Sequence, residues 1–170
     1  LAEQKSLGRG VGLDLRTRQF SSLVDQRQAF ERGDVPAMAT TLAESIAVCQ
    51  EAPVKCPLLV LVLDESVGAD RVIATADITS PLQLIGRRVG LERSVLAEYI
   101  LMRSFGERKT PLSALKLRFD GPEAIVAALR DGQLDAVVTY SPHDEPLLQD
   151  PRFHTVFSTA AIPGEVVDVL

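Results

Sequence analysis

Ala128-Leu129-Arg130-Asp131-Gly132-Gln133-Leu134-Asp135-Ala136-Val137-Val138-Thr139-Tyr140 is the stretch on which the fold turns. A helical run stops at Gly132, because glycine takes the left-handed conformation that closes a helix without steric cost. The apolar residues that follow are too few and too β-branched for a helix, so the spacing predicts a buried strand. That strand ends in hydroxyl side chains, Thr139 and Tyr140. Upstream, Ala29-Phe30-Glu31-Arg32-Gly33-Asp34-Val35-Pro36-Ala37-Met38-Ala39-Thr40-Thr41 repeats the same order of events. Two such units would set two hydroxyl-bearing strand ends where open α/β sheets bind ligands. The echo reads either as a two-lobed repeat or as coincidence, since helix, glycine, strand is a common order in α/β proteins.

Outward from that stretch, the second half alternates regularly. The pattern predicts strand 88–92, helix 94–105, strand 115–119, helix 122–131, strand 136–140, a short helix from Pro142, a strand near 155–157 and a last strand 166–170. Pro122 suits a first helical turn, where its missing N–H costs nothing. The first half is less regular. Residues 1–8 read as the tail of a helix, and 13–19 as a strand candidate. Ser21 or Ser22 can cap a helix running through Arg32, with Asp25 near its positive end. Residues 35–39 read as a strand, and Thr41 starts a helix whose apolar face is Leu42, Ile46 and Val48. The nearly continuous apolar run 57–63 predicts a strand covered on both faces. A loop over 64–70, a strand over 71–75 and a helical turn from Ser80-Pro81 to Gly86 follow. Strands alternating with helices mean an α/β fold with mostly parallel sheets.

The chain has 170 residues, 46% of them hydrophobic, which is ample for a packed core. A net charge of -5, the absence of Trp and the lack of any Lys/Arg run interleaved with aromatics argue against a nucleic-acid surface. The apolar run 58–63 is far too short to cross a bilayer. The chain opens on Leu1 rather than Met, so the lack of a signal peptide carries no weight. Cys49 and Cys56, the only cysteines, fit neither a zinc knuckle nor a redox Cys-x-x-Cys spacing. A local disulfide across the Pro53 turn would suit an oxidising compartment, and two free thiols remain the alternative. Ending inside the apolar run Val166-Val167-Asp168-Val169-Leu170, the chain is expected to be a central piece of a longer protein.

Gly68-Ala69-Asp70, Leu84-Ile85-Gly86-Arg87-Arg88-Val89-Gly90-Leu91, the run 132–142 and Ile162-Pro163-Gly164-Glu165-Val166-Val167-Asp168-Val169-Leu170 come in one order. Together they resemble the substrate-binding proteins of nitrate/sulfonate/taurine-type ABC transporters, and within that group the thiamine-precursor-binding (NMT1/THI5-like) proteins. The resemblance implies a type II periplasmic-binding-protein-like α/β fold of two lobes around a ligand cleft, here truncated at both ends. It implies a partial lobe one over 1–65, a crossover hinge over 66–80, lobe two over 81–158 and a return crossover over 159–170. It also implies a periplasmic or extracellular place, a membrane permease as partner, and a small polar or anionic solute of the sulfonate, nitrate or pyrimidine class.

Candidate ligand contacts lie at the loop junctions. Thr40 and Thr41 follow one strand and precede a helix, where hydroxyls and free N–H groups can bind an anion or a polar heterocycle; a plain N-cap is the bland alternative. Ser94 stands at the next helix N-terminus, with Arg93 beside it to offer a fork of donors. Asp120 forms a third junction, and Tyr140, Ser141 and His143 a fourth, with Tyr140 able to stack on a ligand ring. Ser66, Gly68 and Asp70 lie in the expected hinge, Asp70 chiefly as an acceptor of backbone N–H groups.

The catalytic inventory is thin. His143-Asp144-Glu145 reads better as a solvated helix start than as a metal site, and no nucleophile elbow, dinucleotide fingerprint or P-loop is present. No catalytic residue, metal or cofactor is assigned. The expected function is a non-catalytic solute-binding component of a transporter. The alternatives are a sensory input domain of the same fold and, more remotely, a pyrimidine-synthase-like enzyme.

Overall fold

The computed structural model describes Gly10, residues 12–106, Arg108 and residues 110–170; the helix tail expected over 1–8 lies outside them. In chain order the elements are α1 (Leu23–Arg32), β1 (Thr40–Thr41), α2 (Leu42–Glu51), β2 (Val62–Glu65), β3 (Asp70–Thr75), β4 (Arg88–Leu91), α3 (Val95–Ser104), β5 (Lys116–Phe119), α4 (Pro122–Arg130), β6 (Ala136–Tyr140), α5 (Glu145–Leu148), β7 (Phe153–Ser158) and β8 (Val167–Val169). They form a five-stranded sheet in the order β5-β4-β6-β3-β7 and a three-stranded sheet in the order β1-β8-β2.

The five-stranded sheet is buried on both faces, as the alternation along its central strands requires. Val72, Ala74 and Val138 point into one core with Leu91, Ile100 and Leu101, under α3. Ile73 and Val137 point into the other with Ile125, Leu129 and Leu134, under α4. Gly90 in β4 is where α4 comes closest. A Cβ there would lie 2.5 Å from Leu134 Cδ1 and 3.1 Å from Ile125 Cβ.

The echo between the two halves is realised at the helix ends. Gly33 donates its N–H to Phe30 O and Asp34 to Ala29 O; Gly132 donates to Leu129 O and Gln133 to Ala128 O. Both glycines have positive φ, 80° and 73°. The two helices therefore stop by the same pair of bonds at equivalent positions.

Four expectations are corrected. The sheets are mixed rather than mostly parallel: β4 runs parallel to β5 and β6, while β3 pairs antiparallel with both β6 and β7 and β8 antiparallel with β1 and β2. Residues 13–19 form no strand. Asp14 and Arg16 satisfy each other at 2.9 Å, and Leu13 and Leu15 stay exposed, with no ladder to join. The strand expected over 35–39 shrinks to Thr40–Thr41, after Pro36, which has no N–H to give a ladder. The run 57–63 is not covered on both faces: β2 is an edge strand paired only with β8, and Leu58, Val60 and Val62 are exposed. Cys49 and Cys56 are joined as a disulfide, which ties the last turn of α2 to the start of that run.

One polar clamp fixes the approach to β8. Arg103 of α3 grips Glu165 with two bonds of 2.6 Å, and Tyr99 donates to the same carboxylate. The Arg103 bonds first, and then Tyr99, hold the Glu165 pKa down to about 2. A carboxylate whose folded pKa lies below its ordinary value contributes stability above that ordinary value and loses it as pH falls through the folded one. Glu165→Gln is thus expected to lower the thermal midpoint at neutral pH, with the gap to wild type closing as pH drops from 4.5 toward about 2. Gly90→Ala should cost about 1–3 kcal/mol through overpacking of Leu134 and Ile125, read by denaturant unfolding.

Candidate functional site

A cavity of about 790 Å3 opens between the two sheets, walled by the segment 18–23, by Thr41, by residues 64–70, by Tyr140–His143 and by Asp168. Thr41 and Tyr140 are equivalent positions of the echoed units, and both reach this one cavity. Each lies at the end of a strand whose neighbours hold it: Thr40 and Thr41 pair with Val169 and Asp168, and Tyr140 with Asp70. Phe20 contributes one aromatic wall. Tyr140 and His143 contribute another, with ring centroids 5.2 Å apart and an edge-on interplanar angle of 88°. Asp144, fully buried and paired with Arg71, anchors the loop that carries them.

The polar groups are dominated by carboxylates. Asp64, Glu65, Asp70 and Asp168 line the cavity, with Arg18 as the one guanidinium among the described residues. Asp70 is 7% exposed and accepts from Ser66 Oγ, whose oxygen also lies 3.2 Å from Thr159 Oγ1. Burial raises the Asp70 pKa, against the lowering effect of the Ser66 bond. Burial raises Asp168 as well, reinforced by repulsion from Asp70 and Asp64. Past Leu23, Asp70, Leu96 and Tyr140 the cavity narrows into a recess that Glu92 and Ser94 line. Burial and the nearby Glu92 carboxylate push the Tyr140 hydroxyl up to about 12. A second opening of about 730 Å3 shares Gln19–Ser22 and His143 with the first, and holds Arg93, Phe119 and Asp120.

The N-termini of α1 and α3 receive the chain's own carboxylates, whereas that of α2, at the cavity wall, is capped by the Thr41 hydroxyl. Glu44, in α2 and 2% exposed, accepts the N–H groups of Val95 (2.7 Å) and Leu96 (3.3 Å) at the start of α3. Ser94 Oγ takes the next, from Ala97 at 3.1 Å. Glu92, just before α3, accepts the Leu23 N–H of α1 at 2.9 Å, while Ser22 Oγ takes that of Asp25 at 3.1 Å. Arg27 of α1 lies 3.7 Å from Glu44 on the other side. Burial raises the Glu92 pKa, opposed by the Leu23 and Val24 amides.

The structure brings Thr41, Ser66, Tyr140, Ser141 and His143 to the main cavity. Arg93 and Asp120 line the adjoining opening instead. Arg93 stacks on Phe119 at 4.1 Å, and Asp120 is held by Arg118 at 3.1 Å and the Gly121 N–H at 2.9 Å. Thr40 is buried in the strand ladder opposite Val169 and does not line the cavity. Ser94 caps α3 from the buried recess. The helix face expected of α2 is also corrected: Ile46 is exposed and Glu44 buried, because Glu44 is needed at the α3 N-terminus. Glu44, Glu92, Phe20, Asp64 and Asp168 were not foreseen. An acidic residue interrupting an apolar run, Glu44 within Leu42–Val48 and Asp168 within Val166–Leu170, was the available signal.

Among solved structures, the chain is similar to the alkanesulfonate-binding protein SsuA from Xanthomonas axonopodis pv. citri bound to MOPS, with a TM-score of 0.77, 16% identity, and coverage of 99% of this chain and 59% of that one. The periplasmic aliphatic sulphonate binding protein SsuA from Escherichia coli matches with a TM-score of 0.73 and 15% identity over 99% and 59% of the two chains. An arginine-bound ArgBP from T. maritima matches at 0.58 and 15% identity over 97% and 73%. The fold is that of the type II periplasmic binding proteins. The chain spans 59% of the length of each of the two sulfonate-binding proteins. No family model and no curated protein matches the sequence. Among the described residues, no helix is long and apolar enough to cross a membrane.

The Glu44 contacts lend themselves to a direct check. Glu44→Ala orphans two amides at the α3 N-terminus and is expected to cost about 1–3 kcal/mol in urea unfolding. Glu44→Gln keeps an acceptor oxygen there and should lose distinctly less.

Proposed function

We propose that the chain is the ligand-binding part of an extracytoplasmic solute-binding component of an ABC importer, and that it holds a small polar molecule between its two sheets. The cavity carries this reading: about 790 Å3, lined by strand-end hydroxyls, carboxylates and aromatic faces, in a fold shared with periplasmic binding proteins. That volume suits a metabolite-sized ligand, and mostly fixed walls with a few converging polar groups are what such sites require.

On this reading, residues 1–65 and the return segment 159–170 belong to one lobe, 81–158 to the other, and 66–80 to the hinge. Thr41, Ser66, Tyr140, Ser141 and His143 contact the ligand, and Arg93 and Asp120 line an annex to it. Thr40 and Ser94 act through the strand and helix they steady. The resemblance to nitrate-, sulfonate- and thiamine-precursor-binding proteins, together with neighbours carrying MOPS or arginine, supplies the compounds to try. Closure of the two lobes over the ligand would exclude water and complete the contacts.

The test is thermal unfolding of the full-length protein against alkanesulfonates, nitrate, hydroxymethylpyrimidine and basic amino acids. A bound ligand stabilises by RT ln(1 + [L]/Kd), about 2.7 kcal/mol at a hundredfold excess over Kd. At least one compound should raise the midpoint, and Tyr140→Ala should abolish that rise. A flat response across the panel overturns the reading.

A further inference from the structure

The lining of the proposed binding site carries more acid than base. Anion-binding α/β proteins offer helix N-termini, whose free N–H groups and dipole attract negative charge. Here the α3 N-terminus already has a carboxylate on it, Glu44, and the α1 N-terminus has Glu92. Both are more than nine-tenths buried. Of the guanidinium groups nearby, one is paired with a carboxylate and two lie against aromatic rings. Arg71 pairs with Asp144, Arg93 stacks on Phe119 at 4.1 Å, and Arg18, at the cavity wall, lies over the Phe20 ring at 4.8 Å.

What is left without counter-charge is negative. The Asp168 side chain is half-buried in the cavity wall and makes no hydrogen bond or ion pair among the described residues; the charges it meets are Asp70 and Asp64, both acidic. In the recess behind Asp70, Glu92 is 5% exposed and lies against the Tyr140 hydroxyl as well as the Leu23 N–H. Four carboxylates and one guanidinium line the cavity. Glu65 is tied to the Gly164 N–H and Asp64 to the Glu65 N–H, so Asp70 and Asp168 are the two best placed to receive a ligand. Phe20, Tyr140 and His143 add aromatic faces, which attract cations through their ring quadrupole.

Resting on the solute-binding reading above, we infer that the ligand carries a positive group, an ammonium or guanidinium, seated against Asp70 and Asp168. The sulfonate or nitrate class that the sequence resemblance suggests would meet two carboxylates at that seat, Asp70 held by Ser66 Oγ and Asp168 with no cation beside it. A cation supplies the counter-charge that Asp168 lacks.

Isothermal titration of the full chain with agmatine, L-arginine and tetramethylammonium, against methanesulfonate, nitrate and hydroxymethylpyrimidine, decides the matter. At least one cation should bind ten times more tightly than every anion. Asp168→Asn and Asp70→Asn should each weaken it tenfold or more while the unliganded variants unfold no earlier than wild type, since each removes a buried charge that repels its neighbour. Binding of methanesulfonate, nitrate or the pyrimidine without any cation overturns this inference and leaves the solute-binding reading standing. A cation bound equally well by the Asp70→Asn/Asp168→Asn double variant overturns the seat. Silence from all six compounds overturns inference and reading together.

Discussion

Glu44 is an acidic residue in the middle of an apolar helix, 2% exposed, and another helix supplies the donors that hold it there. Taking a carboxylate out of water costs several kcal/mol even after relaxation. Hydrogen bonds to a charged group return about 1.5–3 kcal/mol each, and a helix N-terminus adds up to about 2 kcal/mol more. Two amides of α3, with Arg27 at 3.7 Å, are of the size needed to offset that cost. Glu92 does the reverse, from the start of α3 onto α1. The two carboxylates thus tie α2 to α3 and the turn before α3 to α1. The strand ends that frame the cavity inherit their positions from this exchange.

That exchange also marks the limit of what was legible. In the five-stranded sheet, β3, β4, β6, α3 and α4 were all readable, because each is apolar at the period of its own geometry and is closed by a local signal such as Ser94 or Gly132. Local periodicity cannot say which carboxylate will cross to which helix, so of the α2 face it marks, Val48 is buried but Ile46 is exposed and Glu44 takes an inner place. It fails equally for residues 57–63, where an apolar run without alternation looks like a strand buried on both sides. The chain instead places it at a sheet edge, and only the pairing with β8 could have shown that. Of the candidate site, the strand-end residues were findable by position: Thr41 and Tyr140 sit where α/β strands finish. Asp168 was quoted and passed over, since a charge in a terminal apolar run reads as a solvated face until the opposite wall is known.

Strand direction follows from the same wall. β3 runs antiparallel to β6 and β7, which brings Asp70, at its first residue, beside Tyr140, at the last residue of β6. A parallel β3 would have carried Asp70 to the far edge. β8, antiparallel to β1 and β2, sets Asp168 opposite Thr41 and Asp64. The two sheets thus each present an acidic residue to the same space by register alone.

A folded chain that keeps Asp70 and Asp168 close together, each with its pKa raised by burial, holds unfavourable charge that it could shed with one Asn. Raised carboxylates destabilise the folded state at neutral pH, because the unfolded chain releases those protons more readily. Strain kept at a cavity wall, where hydroxyl and aromatic groups also converge, is what a binding site looks like before its ligand arrives. On the inference of a cationic ligand, its positive group would both remove that repulsion and gain the attraction.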